Sequence, residues 1–375
     1  MAKVAFRMDA SESAGLGHLR RCVALATELR DIGVESRLVC RERFDASIGA
    51  LAMPHPVFWL EMAKRDGSGG ADEGDEHCDA DATLAIIGRN PAEPSCVVVD
   101  SYRLGHRWER RVREAGHRIV AIDDFRDRMH HADLLVSDAA FPFDARLNTL
   151  DDGGRVLCGN AYALIGREYA HPTASVRDSG PKRVLVTYGG SDPTQETIKA
   201  VAAIAAAKEG KVAAKGFGRA DIVIGMLNPA AAEIARAAAR VDGLTVHAAP
   251  HGLAELMKAS DVVLTAGGSS MLEALALRKP CVVTTTAENQ RLTVGELAAS
   301  GVIRSLGHAS DVDATGIAEA LADILARYDQ VAANVAARSP FDHLGGRRVA
   351  REMSSLLGSA PHLHEAAAVS RERGA

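Results

Sequence analysis

The chain is 375 residues long, with 47% hydrophobic and 25% charged residues; this composition excludes global disorder, and the length exceeds the roughly 150 residues usual for one domain. A net charge of −5 supplies no basic field for a nucleic-acid backbone, so nucleic acid is not an expected partner. Aromatic residues make up only 4% while glycine reaches 34 residues, a balance that suits aliphatic strands joined by glycine turns better than an aromatic sugar-stacking surface.

The opening MAKVAFRMDAS carries Lys3 and Arg7 and lacks the apolar core of a signal peptide. No apolar run approaches the ~18 residues of a membrane helix, so no membrane span is expected and a cytoplasmic location is. Cys22, Cys40, Cys78, Cys96, Cys158 and Cys281 form no C-x-x-C pair and read as reduced, mostly buried thiols.

Short apolar runs alternate with helical patterns, the sign of βα units around parallel sheets. Strands are expected at 3–8, 35–41, 56–60, 96–100, 118–123 and 133–137. Between the first two, Leu19, Cys22, Val23, Ala26 and Leu29 recur at three- and four-residue spacing and form one apolar stripe on a helix ending before Gly33. Segment 64–81, KRDGSGGADEGDEHCDAD, is rich in glycine and acid and reads as a solvated, mobile loop. Asp75, Glu76 and Asp79 beside His77 and Cys78 lack the spacing of a metal site, and no metal is expected. After a polar, proline-containing linker near 166–182, a second series supplies strands at 183–188, 221–226, 244–248, 262–265 and 281–285. Residues 359–375 carry little core-forming content and read as a flexible tail. The fold class is α/β, with two doubly wound parallel-sheet domains facing a cleft, where ligands bind in open α/β folds.

Three strand-to-helix turns carry the chemistry. In DASESAGLGHLRR, Gly15, Gly17 and His18 open a helix whose start offers free N–H groups and a partial positive charge. Arg20 stands where a dinucleotide fingerprint requires its third glycine, which disfavours an NAD site. A first-turn imidazole tends to stay neutral and able to accept a proton; a histidine that merely hydrogen-bonds a loop carbonyl fits the same position. Asp9, at the end of the first strand, is placed either to orient the base or to brace the loop. In VTYGGSDPT, Gly189 and Gly190 end a strand and Ser191 and Asp192 offer helix caps. In TAGGSSMLEAL, Gly267, Gly268, Ser269 and Ser270 start a helix with Glu273 one turn in. Together these two turns make an anion site able to hold a diphosphate without a metal, with Glu273 spaced to accept from a ribose diol; each alone also fits an ordinary tight turn. Asn289 and Gln290 start another helix at the same rim, either to bond a ligand or to cap the helix.

RMDASESAGLGHLRRCVALATEL resembles the R-x-D-x-S-x-x-x-G-x-GH-x-x-R opening of the PseG family of UDP-sugar hydrolases, relatives of the spore-coat polysaccharide (SpsG-like) glycosyltransferases. The similarity continues in family order through VVVDSY, AIDD, HHADLLVSD, GNAYALIGREY, YGGSDPT, AGGSSMLEAL and AENQ, over about residues 3–350. It implies a GT-B fold, as in the related transferase MurG. Residues 1–168 would form the sugar and catalytic domain, 180–340 the UDP-binding domain and 341–358 a closing helix. It further implies hydrolysis of a UDP-linked 2,4-diacetamido-2,4,6-trideoxyhexose by water at the anomeric carbon, with inversion, on the route to pseudaminic acid and with no cofactor or metal. The family's catalytic histidine falls on His18, its ribose glutamate on Glu273, its NQ asparagine on Asn289 and its sugar-facing tyrosine on Tyr102. The long acidic segment and Asp342–His343, where the family has Asp–Gly, depart from the pattern. A glycosyltransferase with the same donor site, an acceptor hydroxyl replacing water, is the rival expectation.

Overall fold

A computed structural model of the protein describes residues 3–10, 15–41, 46–61, 73–88, 96–125, 128–138, 154–170, 180–209, 216–250 and 252–358. The expected tail 359–375 and most of the expected linker, 171–179, lie outside these. The first half supplies β1 (Lys3–Met8), α1 (Gly17–Asp31), β2 (Glu35–Cys40), α2 (Ala46–Ala52), β3 (Val57–Trp59), α3 (Glu73–Ile87), β4 (Cys96–Asp100), α4 (His106–Glu114), β5 (Arg118–Ile122), β6 (Leu134–Ser137) and β7 (Arg155–Cys158). The second supplies β8 (Lys182–Thr187), α5 (Glu196–Lys208), β9 (Phe217–Ile224), α6 (Ala231–Ala238), β10 (Leu244–Ala248), α7 (Ala254–Ala259), β11 (Val262–Ala266), α8 (Ser269–Ala276), β12 (Cys281–Thr285), α9 (Arg291–Ala299), β13 (Arg304–His308), α10 (Ala314–Ala326), α11 (Tyr328–Arg338) and α12 (Gly345–Gly358).

The strands form a seven-stranded sheet of order β3-β2-β1-β4-β5-β6-β7 and a six-stranded sheet of order β10-β9-β8-β11-β12-β13. Their pairings are parallel. Alternate residues of each strand feed opposite faces. In the first sheet, Val4, Phe6 and Val98 pack under Leu19, Leu25 and Leu29 of α1, while Ala5, Val97 and Val99 pack under Leu84 of α3 and Trp108 of α4. The second sheet repeats this, with Val184, Val186 and Ile222 toward α5 and α10, and Leu185, Val263 and Val283 toward α8 and α9. Helix α12 returns to the first sheet, where Val349, Ala350 and Met353 join the core beneath α1. Burial of the Val and Met side chains contributes about 1.5–3 kcal/mol each. Asp342 starts this helix by accepting from Leu344 N at 2.8 Å and pairing with Arg348.

Residues 64–72 of the acidic segment lie outside the described residues; from Glu73 onward the expected loop is instead helix α3. The reason is a buried ion pair. Arg7 on β1 is fully buried and donates to Asp79 through Nε at 2.9 Å and Nη2 at 2.6 Å, and Asp79 also accepts from Trp108 Nε1 at 3.0 Å. An acid that is polar by type thus sits in the core beside Ala80, Thr83 and Leu84. Asp75 instead faces Arg41, and Glu76 accepts from the Trp108 N–H, so these carboxylates serve separate partners.

Candidate active site

In each sheet the strand order reverses beside its first strand, between β1 and β4 and between β8 and β11, and such switch points open a crevice at the strands' carboxyl ends. Met8 pairs with Asp100 there, and Thr187 with Thr265. The two crevices face each other across a cavity of about 310 Å³ lined by Gly15, Gly17, His18, Tyr102, Gly189, Gly190, Ser191, Gly267, Gly268, Ser269, Ser270, Asn289 and Gln290. A second chamber of about 410 Å³, which shares Arg20, Arg21, Asp124 and Ser269 with the first, is lined by Tyr169 and Glu273.

Approach of the two halves is close. Gly189 holds φ +83°, a conformation that favours glycine, and a side chain on Gly190 would stand 3.0 Å from Leu16 of the opposite half. Asp192 turns away from the cavity and caps α5, accepting from Glu196 N at 2.8 Å and Thr197 N at 2.9 Å. Helix α8 starts at Ser269 directly after Gly268, so its first-turn N–H groups face the cavity from the second half.

His18, in the first turn of α1, is buried, and its Nδ1 lies 2.6 Å from Asp100 Oδ1. Asp100 also takes Arg21 Nε on its other oxygen at 2.6 Å. Burial by itself would raise the Asp100 carboxyl, but the Arg21 guanidinium and His18 outweigh it and hold the group well below the usual carboxylate range. With Asp100 ionised, the proton in the short contact belongs to Nδ1, which leaves Nε2 as the nitrogen that accepts a proton. Asp100 is the residue that reading the sequence missed: it stands in CVVVD as the last residue of an apolar strand, and nothing in the local pattern pairs it with a histidine 82 positions earlier.

The network continues across the cleft. Arg21 Nη1 donates to Asp124 at 2.8 Å, Tyr102 Oη donates to Asp124 Oδ2 at 2.8 Å, and Asn289 Nδ2 donates to Tyr102 Oη at 2.7 Å. The Tyr102 ring stands edge-on to His18 at 4.5 Å and to Phe125 at 4.9 Å. Burial and the Asp124 charge push the Tyr102 phenol far above its ordinary value, so it remains a hydrogen-bond donor.

Other expected residues land differently. Asp9, expected from the sequence as a sugar-side residue that either orients the base or braces the loop, does not line the cleft: it pairs with Arg7 at 3.0 Å and accepts from Arg41 N at 2.8 Å, which braces the β1 and β2 ends. Gln290 lines the cavity, but its Oε1 accepts from Gly267 N at 3.2 Å and Thr286 N at 2.8 Å and so ties two turns together. The Gly267 N–H is thereby occupied within the protein. Glu273 sits in the adjoining chamber, buried, with Arg20 at 4.0 Å and Tyr169 lining the same chamber. Burial, with Glu168 nearby, pushes its carboxyl up to about 7 against the pull of Arg20 and Tyr169. Its Oε2 is buried without a hydrogen-bond partner among the described residues, an arrangement that costs free energy until a donor arrives.

No protein-family model matches the chain. It is 22% identical over 299 residues to an uncharacterized protein of Methanocaldococcus jannaschii, covering 77% of this chain and 57% of that one. It is 30% identical over 126 residues to the spore coat polysaccharide biosynthesis protein SpsG of Bacillus subtilis, covering 34% and 36%. The chain therefore spans 57% and 36% of the lengths of these two relatives. Across 302 residues it is 22% identical to the UDP-2,4-diacetamido-2,4,6-trideoxy-beta-L-altropyranose hydrolase of Campylobacter jejuni, covering 80% of this chain and 97% of that enzyme. Among solved structures, Acinetobacter baumannii MurG superposes with a TM-score of 0.63 at 13% identity over 95% of this chain and all of that one. The calicheamicin glycosyltransferase CalG4 superposes at 0.60 and 15% identity over 95% and 98%. The two facing parallel sheets and these superpositions establish the GT-B fold. The chain has the GT-B fold and is similar in sequence to the UDP-2,4-diacetamido-2,4,6-trideoxy-beta-L-altropyranose hydrolase of Campylobacter jejuni and to SpsG of Bacillus subtilis.

Proposed function

We propose that the chain is a UDP-sugar hydrolase, its first half handling sugar and water and its second half holding UDP. The carrying observation is the His18–Asp100 contact at the first switch point, facing the glycine and serine turns of the second across one cavity. His18 Nε2 takes a proton from water as the water oxygen bonds to the anomeric carbon. The bond from that carbon to the diphosphate oxygen breaks, and its electron pair leaves with UDP. Asp100 steadies the imidazolium that forms. N–H groups of the Gly189–Gly190–Ser191 turn and of the α8 start receive the diphosphate charge, a role that needs no metal. Attack opposite the leaving group inverts the anomeric centre. The unpartnered Glu273 Oε2 is suited to a ribose hydroxyl, and Tyr102 and Asn289 to the sugar. The substrate class proposed is that named for the Campylobacter jejuni relative, a UDP-linked 2,4-diacetamido-2,4,6-trideoxyhexose; pseudaminic-acid-type synthesis is the setting that the sequence resemblance implies for it.

One observation favours a second reading. The superposed structures include a glycosyltransferase, CalG4, and with the same donor site an acceptor hydroxyl in place of water would make this enzyme one too. UDP release by purified protein without any acceptor, with oxygen-18 from water recovered in the sugar, supports hydrolysis; UDP release only when an acceptor is supplied supports transfer. His18→Ala should lower turnover by about 10²-fold or more while leaving UDP binding in place. Unchanged turnover in that variant removes the assignment.

A further inference from the structure

Behind Tyr102 lies a buried acid–histidine cluster that the proposed chemistry does not use. His130, almost fully buried, has Nδ1 2.7 Å from Glu109 Oε1 on α4 and Nε2 3.5 Å from Asp123 Oδ2 at the end of β5. Glu109 is itself fully buried, and its second oxygen accepts from His131 N at 2.5 Å. The groups facing the ring are these two carboxylates; His131, next in the chain, turns its ring toward His106 at 6.3 Å. Two buried carboxylates around one imidazole are tolerated when the ring carries both protons, because a buried charge without a counter-charge is costly.

The Asp123 end of the cluster leads to Tyr102. Asp123 Oδ1 accepts from Phe125 N at 3.0 Å, which fixes the turn of residues 123–125. Within that turn Asp124 takes the Tyr102 hydroxyl and Phe125 packs edge-on to the Tyr102 ring. Tyr102 in turn contacts His18 and Asn289.

We propose that His130 is a positioning residue for Tyr102: as an imidazolium clamped between Glu109 and Asp123, it locks the turn that grips the tyrosine by ring and hydroxyl. The link to turnover rests on the UDP-sugar reading; the placement of the turn does not. Burial opposes protonation, but the Asp123 and Glu109 carboxylates, the first within ion-pair reach of Nε2 and the second hydrogen-bonded to Nδ1, outweigh it and push the imidazole up to about 9. A raised histidine stabilises the folded arrangement fully at low pH and loses that contribution as pH rises through about 9.

The test uses the full chain labelled with 4-fluorophenylalanine, the Phe125 resonance being assigned with Phe125→Leu. In the parent protein this resonance should move with a midpoint near pH 9, and in His130→Gln it should not titrate in that range. His130→Gln should lower kcat by about tenfold, the scale of a small misplacement in a site, with KM and UDP affinity within about twofold, and the basic limb of the parent's kcat profile should vanish. A Phe125 resonance that does not titrate around pH 9 in the parent overturns the proposal, as does a His130→Gln kcat equal to the parent's. The fluorine measurement involves no substrate, so it decides the clamp even where no UDP-sugar is turned over or where His130→Gln does not fold.

Discussion

Replacing Asp100 with asparagine is the sharpest probe of the proposed chemistry, because it keeps the side-chain shape and removes the charge. Asp100 now accepts from His18 Nδ1 at 2.6 Å, from Arg21 Nε at 2.6 Å and from Arg21 Nη2 at 2.5 Å, all while buried. An amide has one acceptor oxygen, so its NH₂ must meet either Arg21 or His18. Facing Arg21, it opposes donor to donor in a buried site. Facing His18, it donates to Nδ1 and forces the proton onto Nε2, the nitrogen proposed to act as base. Asp100→Asn should therefore lose about 10²–10⁴-fold in turnover, equivalent to about 2.7–5.5 kcal/mol of transition-state stabilisation. UDP affinity should change little, because none of these contacts involves the second half. The assay is steady-state UDP release beside calorimetric UDP binding and a melting curve that confirms folding. A folded Asp100→Asn protein within twofold of the parent in turnover would refute the dyad.

Two further outcomes follow from buried charges. Asp79→Ala leaves Arg7 fully buried with Asp9 as its remaining carboxylate partner, so urea unfolding should show a loss of about 3–5 kcal/mol; Arg7→Met added to Asp79→Leu should recover most of it, and a single-variant loss below about 1 kcal/mol contradicts the account of α3. Glu273 is held up at about 7 from an ordinary 4.5. A carboxyl raised on folding favours the folded state fully below about 4.5 and loses that contribution as pH rises through about 7. Glu273→Gln should flatten the parent's decline in stability from pH 4.5 to pH 7 and weaken UDP binding by about tenfold, the scale of one charge-assisted hydrogen bond. Parallel stability profiles for the two proteins, or equal UDP affinities, would remove Glu273 from that role.

The plainest strands in the sequence are central ones buried on both faces. CVVVD and RIVAI are continuous apolar runs because helices cover each side of the sheet. The two strands that escape notice, β7 (Arg155–Cys158) and β13 (Arg304–His308), are edge strands with exposed, polar positions and no apolar run to mark them. Helix α3 escapes for a related reason. Its core-facing Asp79 is polar by type and becomes a core residue only through Arg7, 72 positions away.

The sequence by itself carries the alternating α/β plan, three glycine-containing turns and the helix-start His18, because backbone turning, helix capping and strand burial are set by neighbouring residues. Only the tertiary structure decides who partners whom. It gives His18 to Asp100, Tyr102 to both Asp124 and Asn289, and the Gln290 side-chain oxygen to two turns at the cavity wall. It sends Asp9 to brace the first strand end and leaves one Glu273 oxygen without a donor. These are long-range pairings of charge and hydrogen bond, and local pattern carries no record of which strand end will face which.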